Sequence, residues 1–471
     1  MKFKDLTKRD IEHITSRYSS KDKRDFIQDE LSETYGISKR TVRYWAKQLG
    51  VVEVSDDFTR AQNKEVSLEA KRFIISWAQN STPVFGSFLK NMEAYAEYID
   101  AEILVIAGRY KNPTSVFPDK DKEKWDDSVL DYLDANRHDI HSRMSILSDI
   151  KIQPTAKMPL TSFESVSGDN SCIIGHPRVH QKTVPVLEGY DPKIMLTTGA
   201  CTLSNYTDSK AGKVADFHHT FGFAIVELDG DYFHVRQVTA CSDGSFTDLY
   251  HNVHNGEVKH IWGCSSFVFG DIHTGDTDMP MVERTLKLLE VLVPDNIVVH
   301  DLFNGHSVNR HEEKNPIKTF FKIKNDRHLL KDELHIANLF LANLEGYTDN
   351  VVVVRSNHDE WIDTYIETRD WHKDIMNADT FMMLAGVKLA GEAPKGILPY
   401  YINKYLPNIK ALSSSESYIA NEFELAIHGH LGANGSRGGV LQFKRLNIKM
   451  ITGHTHVPSR YDGVVTVGTS T

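Results

Sequence analysis

The chain has 471 residues, 40% apolar and 10% aromatic, which fits about three domains with substantial cores and excludes a disordered or fibrous protein. A formal net charge of −10 excludes a protein that coats nucleic acid through global positive charge, so nucleic-acid contact must come from a local patch. No run reaches the roughly 18 apolar residues of a membrane span and MKFKDLTKRD has no hydrophobic signal core, which points to a cytoplasmic protein without a membrane partner. Cys172, Cys201, Cys241 and Cys264 form no CxxC pair, which predicts buried free thiols rather than a zinc knuckle or a disulfide framework.

The first 50 residues carry 12 basic and 8 acidic side chains, so this segment is +4 and the remainder −14. Within it, LSETYGISKRTVRYWAKQLG predicts two short helices meeting at Gly36, where the turn wants a residue tolerant of positive φ, with Ser38 capping the second helix. Val42, Trp45 and Leu49 form an inward stripe, while Arg40, Arg43 and Lys47, with Lys39 beside them, share another face. One packing face and one cationic face are what a helix-turn-helix-like module needs to bind DNA, and residues 1–52 are assigned that role. A helical module for protein contacts is the alternative.

An acidic, polar joint (VEVSDDFTRAQNKEVS) opens an α+β middle region, residues 53–262, whose role the residues do not disclose. RFIISWAQ, FLKNMEAYAEYI and AEILVIAG predict a strand, an amphipathic helix and a buried strand, a βαβ unit. KDKEKWDDSVLDYLDANRHDI reads as a charged helix. Beyond about residue 150 the pattern is β-rich, with a hairpin predicted at Asp229-Gly230. His218 and His219, read as strand neighbours, point to opposite faces and so are assigned structural roles. No internal repeat or low-complexity tract stands out.

From residue 263 onward, SFVFGDIH, NIVVHDLFN, VVVVRSNHD, LAIHGH and MITGHTH are apolar strand patterns that each end in metal-competent side chains. Helical patterns (MVERTLKLLEVL, LLKDELHIANLFLANL) separate the first three, predicting a sheet with its site beyond the carboxyl ends of the strands. Asp271 and His273, spaced i and i+2, offer one oxygen and one nitrogen to the same cation. Asp301 follows 30 residues later, room for one helical crossover, and its two oxygens suit it to bridge two cations about 3.5–4 Å apart. Asn357, His428, His454 and His456 complete a mixed O and N set that suits manganese, zinc or iron better than calcium or magnesium.

In the order D-x-H, D, N-H-D, H and G-H-x-H, these blocks over about residues 263–471 resemble the calcineurin-like metallophosphoesterases. The resemblance implies a β-sandwich flanked by helices, one ion on Asp271, His273, Asp301 and His456, and a second on Asp301, Asn357, His428 and His454. Manganese is the first choice of metal. His358 matches the family's catalytic histidine, implied to assist while a bridging hydroxide attacks phosphorus. Three positions depart from the family. His300 and Ser356 replace glycines, which puts local loop shape in question. Asn304 stands where phosphatases carry an Asp that orients the catalytic histidine, and an amide can orient but not shuttle a proton. His306, two residues on, is a candidate to substitute for that Asp, though a solvated loop histidine is the preferred reading. Residues 363–425, with FMMLAGVKLAGE and PYYINKYLP, read as a helical insertion that restricts access. VVTVGTST ends early for a fold whose second sheet continues past the last histidine block, so either the natural chain is longer or other strands close that sheet.

A cationic helical module joined to a two-metal esterase predicts an α/β deoxyribonuclease, its partner DNA and its oligomeric state open. The layout also resembles the early host-DNA-degrading nucleases of large tailed phages, which would place the protein in the cytoplasm of the host cell. Two rivals remain: a phosphomonoesterase or nucleotide phosphodiesterase on a small substrate, and a DNA-binding regulator with a vestigial metal site.

Overall fold

The computed structural model describes the chain except residues 1, 2, 4, 5, 21, 23, 50, 52–55, 68, 119–122, 310, 311, 313, 314, 433 and 437. The side chains of residues 24, 25, 40, 43, 44, 47, 48 and 56 also lie outside that description. The protein is a mixed α/β structure with several sheets. Among the described residues no helix is long and apolar enough to cross a membrane.

Helices Lys8–Tyr18, Arg24–Tyr35 and Lys39–Gln48 pack around Ile14, Ile27, Leu31, Val42 and Trp45. The last two turn at Gly36, whose φ of +59° a side chain would strain. Ser38 Oγ accepts from the Thr41 backbone N–H at 3.2 Å, closing the amino end of the third helix. Val42 and Trp45 are buried and Leu49 packs beside them, so the inward stripe forms as its spacing predicts.

The βαβ unit is present. Strands Arg72–Gln79 and Glu102–Gly108 pair in parallel across the helix Gly86–Ile99, and the hairpin Gly222–Asp229/Tyr232–Thr239 adds to the other edge. Its register pairs Tyr232 with Asp229, so the loop residues are Gly230, at φ +61°, and Asp231. Two expectations fail here. The charged helix after residue 119 does not form. Its described part is a 3-10 turn at Asp127–Val129 followed by strands Leu133–Asp134 and Arg137–His141, because Trp125, Val129 and Leu133 are drawn into the core against Phe58, Ile74 and Val105. His218 and His219 are not strand neighbours but follow the helix Lys210–Phe217. His219 hydrogen-bonds the Tyr206 hydroxyl (2.6 Å) and the Thr202 carbonyl (2.9 Å), a structural role. Of the thiols, Cys172 and Cys201 are buried, whereas Cys241 is exposed.

In the carboxyl-terminal part, Cys264–Val268, Pro294–Val299, Val351–Val353 and Lys410–Ala411 form a parallel sheet, with helices Met279–Leu292 and Leu330–Leu344 as crossovers. Alternation divides its faces. Ile297, Val299, Val351 and Val353 pack on the helices, and Val298, Val352 and Val354 pack with Leu425 and Ile451 of a second sheet. LAIHGH, read as a strand, is not one: pairing ends at Phe423–Glu424, just before it, and residues 425–430 form a loop. The segment 363–425 is not purely an insertion: the helix Asn357–Thr368 runs into it, and Lys410–Ala411 joins the parallel sheet.

The second sheet has ten strands and crosses the boundary at residue 262. Ser459–Tyr461, at the far side of Met450–Thr452 and Val464–Thr466, pairs antiparallel with His180–Val184, so the middle region supplies the strands that continue it. Asp462 pins this seam. Its carboxylate meets the Arg178 guanidinium (3.5 Å), His180 Nε2 (3.2 Å), His218 Nδ1 (3.3 Å) and Lys444 Nζ (2.5 Å), and its backbone N–H donates to the Val179 carbonyl. Burial opposes the Asp462 charge, but these cationic neighbours hold the carboxyl well below the usual range. Arg178 is 1% exposed, so removing its partner strands a buried cation. Asp462→Ala is expected to cost about 3–5 kcal/mol, read as a lowered urea midpoint with loss of middle-region protection in hydrogen exchange. An unchanged midpoint would show that the seam is held elsewhere.

Candidate metal centre

The centre is built where the two sheets meet at strand ends. Asp271 follows the strand Cys264–Val268 and makes a parallel bridge with Thr469. Its backbone N–H donates to the Gly468 carbonyl (2.9 Å) and its carbonyl accepts from Ser470 (2.8 Å). Asp271, His273, Asp301 and His456 each bring a ligand atom within 4.8 Å of the others, a cluster of three buried side chains and the exposed His456 that could hold a metal ion. His273 Nε2 lies 3.5 Å from Asp301 Oδ2 and 3.0 Å from His456 Nε2, and His456 Nε2 lies 3.4 Å from Asp271 Oδ2. On the other side of Asp301, His428 Nε2 sits 3.5 Å from Oδ2, with the His428 and His454 ring centroids 5.3 Å apart.

The donor set fits a cation. Asp271 Oδ1, Asp301 Oδ1 and Asn357 Oδ1 are buried without a hydrogen-bond partner, a state that costs free energy unless something positive or protic meets it. The backbone is strained toward the same point: His273, Asp301, His454 and His456 all have positive φ, between 45° and 70°. Gly453 leaves the space this needs, since a Cβ there would stand 2.2 Å from Asp271 Oδ1. The His454 N–H donates to Asp271 Oδ2 at 2.7 Å, so the GHTH loop orients the carboxylate it faces.

The charges are balanced only in part. Burial, with the Asp301 charge nearby, pushes the Asp271 carboxyl up to about 7. Burial opposes ionisation of Asp301 too, but the neighbouring His428 outweighs it and holds that carboxyl low, and Asp301 in return raises His428. Burial lowers His273 to about 4.

The positions that depart from the family are accommodated. Ser356 caps the helix Asn357–Thr368 in a capping box: its Oγ accepts from the Asp359 N–H (3.2 Å), and Asp359 Oδ2 accepts from the Ser356 N–H (2.8 Å). Asn357 and His358 are thereby the first two residues of that helix, at its positive end. His300 is fully buried and stacks on His428 with ring centroids 5.8 Å apart.

Asn304 behaves otherwise than expected. Its backbone carbonyl accepts from His358 Nδ1 (2.6 Å), whereas its side-chain amide donates to Asp276 Oδ2 (2.8 Å). His306 is not a solvated loop histidine, because its Nε2 meets the same Asp276 oxygen at 2.7 Å and Arg327 pairs with Oδ1. Asp276, Arg327 and Trp361, which stacks on the His358 ring at 4.1 Å, were not singled out from sequence. Only the position of Asp276 five residues after Asp271 hinted at them. Lys39, read as a DNA contact, is exposed and forms an ion pair with Asp29. The side chains of Arg40, Arg43 and Lys47 lie outside the described residues.

A cation bound here must displace the protons that Asp271 and His428 hold in the metal-free chain. Because Asp271 keeps its proton below about 7, Mn²⁺ affinity should fall as pH falls, by roughly tenfold per pH unit for each proton displaced, and level off above that range. Calorimetric titration at about pH 6 and about pH 8 checks this, and equal affinities would remove the buried carboxylate from the site.

No protein-family model matches the chain. No solved structure matches it either. A curated relative does: the chain is 31% identical over 466 residues to protein A1 of Escherichia phage T5, with 93% of this chain and 80% of the relative covered. At that identity and coverage, the chain that carries this Asp/His centre belongs to the family of phage T5 protein A1.

Proposed function

We propose that the protein is a two-metal phosphodiesterase that hydrolyses DNA in the cytoplasm of a phage-infected cell. Asp271, His273, Asp301 and His456 would hold one divalent ion and Asp301, Asn357, His428 and His454 the other, manganese before zinc or iron. The observation that supports this most is the convergence of four separated segments on one mostly buried, cation-seeking cluster with Asp301 between its two halves. The two layers sharing the core around Val298, Val352 and Leu425 are read as a metallophosphoesterase-type sandwich.

Bound divalent ions supply Lewis-acid polarisation of a phosphoryl group and activation of water. The chain's residues do the rest. With Nδ1–H donating to the Asn304 carbonyl, His358 has Nε2 available to a substrate, and it would protonate the leaving oxygen from that atom as the imidazolium. Trp361 fixes the ring plane, and the helix amino terminus at Asn357 adds favourable potential for a phosphate. Asp276 ties Asn304, His306 and Arg327 together and so holds the loop that carries that carbonyl. The phage relative agrees with a setting in infection, and the amino-terminal three-helix module, read as helix-turn-helix-like, would tether a DNA substrate.

Plasmid DNA, single-stranded DNA and para-nitrophenyl phosphate, assayed with Mn²⁺, discriminate the readings. Cleavage of the two DNAs supports the nuclease. Turnover of the monoester alone would favour a small-substrate esterase, and no turnover with DNA binding intact would favour a regulator. Asp301→Asn should abolish activity and weaken both ions while leaving the fold intact. His358→Ala should keep the metal content and lower turnover by about 10²–10⁴-fold. Loss of metal in that variant would make His358 a ligand.

Neutralising Arg40, Arg43 and Lys47 together should weaken DNA binding and flatten its salt dependence by about two to three units of slope, at roughly 0.9 per lost phosphate contact. Metal content should not change. Unaltered salt dependence would leave the module without a DNA role.

A further inference from the structure

The seam between the middle region and the carboxyl-terminal sheet encloses a cavity of about 520 Å³, within the size range of small-ligand sites. It opens at the amino ends of Met450–Thr452 and Val464–Thr466, whereas His454 and the Asp271 bridge lie beyond their carboxyl ends. Three strand residues, about 10 Å of backbone, therefore separate it from the metal centre.

Its walls are cationic. Lys444, Lys449, Arg460 and His218 face it, with Asp462 the one acid among its lining residues. That acid is engaged from behind by Arg178 and His180 and from the cavity side by His218 and Lys444, so Lys444 shares its charge with it. Lys449 shares its charge with the exposed Glu422. Arg460 has no carboxylate within ion-pair distance among the described residues, only a long contact from Nε to the Asp462 carbonyl at 3.5 Å. Burial lowers its guanidinium to about 10, the mark of a cation short of counter-charge. Beside these cations stand apolar surfaces: Phe217 is 67% exposed at the rim, and Ile448 is half-exposed. Surplus positive charge next to an open aromatic face matches a ligand with an anionic group joined to a planar ring.

We propose that this cavity binds a single nucleotide unit, its phosphate against Arg460, Lys444 and Lys449 and its base against Phe217. The site is separate from the metal centre and does not depend on which phosphoester that centre cleaves. It joins residues of the middle region to the carboxyl-terminal sheet, so an occupied cavity ties the two together.

Binding of deoxyadenosine 5′-monophosphate to the full chain, measured by calorimetry in EDTA so that the metal centre takes no part, tests this. One saturable site is expected. Lys444→Gln combined with Lys449→Gln should weaken it at least tenfold. Phe217→Ser, at an exposed position, should weaken the nucleotide several-fold and leave competition by inorganic phosphate unchanged. Deoxyadenosine, which lacks the phosphate, should bind at least tenfold more weakly. A decamer of deoxyadenylate that displaces the nucleotide at equal concentration assigns the unit to a DNA strand, and one that fails to displace it assigns the unit to free nucleotide; both support the site. Absence of saturable binding, equal affinity for deoxyadenosine, or unchanged affinity in both variants would overturn it.

Discussion

Two carboxylates buried against one another, Asp271 and Asp301, set the terms for the rest of the carboxyl-terminal structure. Like charges withdrawn from water repel and lose hydration, and the chain offsets only part of that cost. His428 compensates Asp301, while Asp271 is left to retain its proton near neutrality. Around this imbalance the backbone is bent into left-handed conformations at four ligand-bearing residues, a strain no buried apolar contact requires. The strain, the partnerless oxygens and the raised carboxyl all favour a cation, which this cluster could hold.

The same constraint explains how the sheets are joined. Asp271 belongs to the parallel sheet by sequence but bridges Thr469, and its carboxylate is oriented by the N–H of His454. Any slip between the two sheets would move ligands apart, so their relative position must be rigid. Rigidity at the inner edge comes from the shared valine-rich core, and at the outer edge from strands that the middle region lends through the Ser459–Tyr461 pairing. The middle region is therefore structurally continuous with the sheet behind the metal centre, and the cation cluster around Asp462 is where that continuity is fastened.

Much of this was legible in the sequence because period and order are local signals. The valine runs at 297–299 and 351–354, the helix Leu330–Leu344 between them and the histidine blocks at strand ends all follow from spacing alone. The closing of the second sheet was legible only as a choice, since nothing in SRY at 459–461 announces that its partner is His180–Val184, some 280 residues earlier in the chain. The charged stretch around Trp125 misled for the opposite reason. Its local pattern is helical, but burial of Trp125 and Leu133 decides the outcome. Orientation of side chains was the least legible: Asn304 was expected to reach His358 with its amide, and it does so with its backbone.

That last difference bears on mechanism. A side-chain carboxylate beside a histidine stabilises the imidazolium and can share its proton, whereas a backbone carbonyl only fixes the tautomer. With Nδ1 committed to the carbonyl of Asn304, His358 leaves Nε2 as the nitrogen available to a substrate. Asp276 is one step removed, bonded to the Asn304 amide and paired with Arg327 and His306. The stacked Trp361, rather than an ion pair, keeps the His358 ring in place.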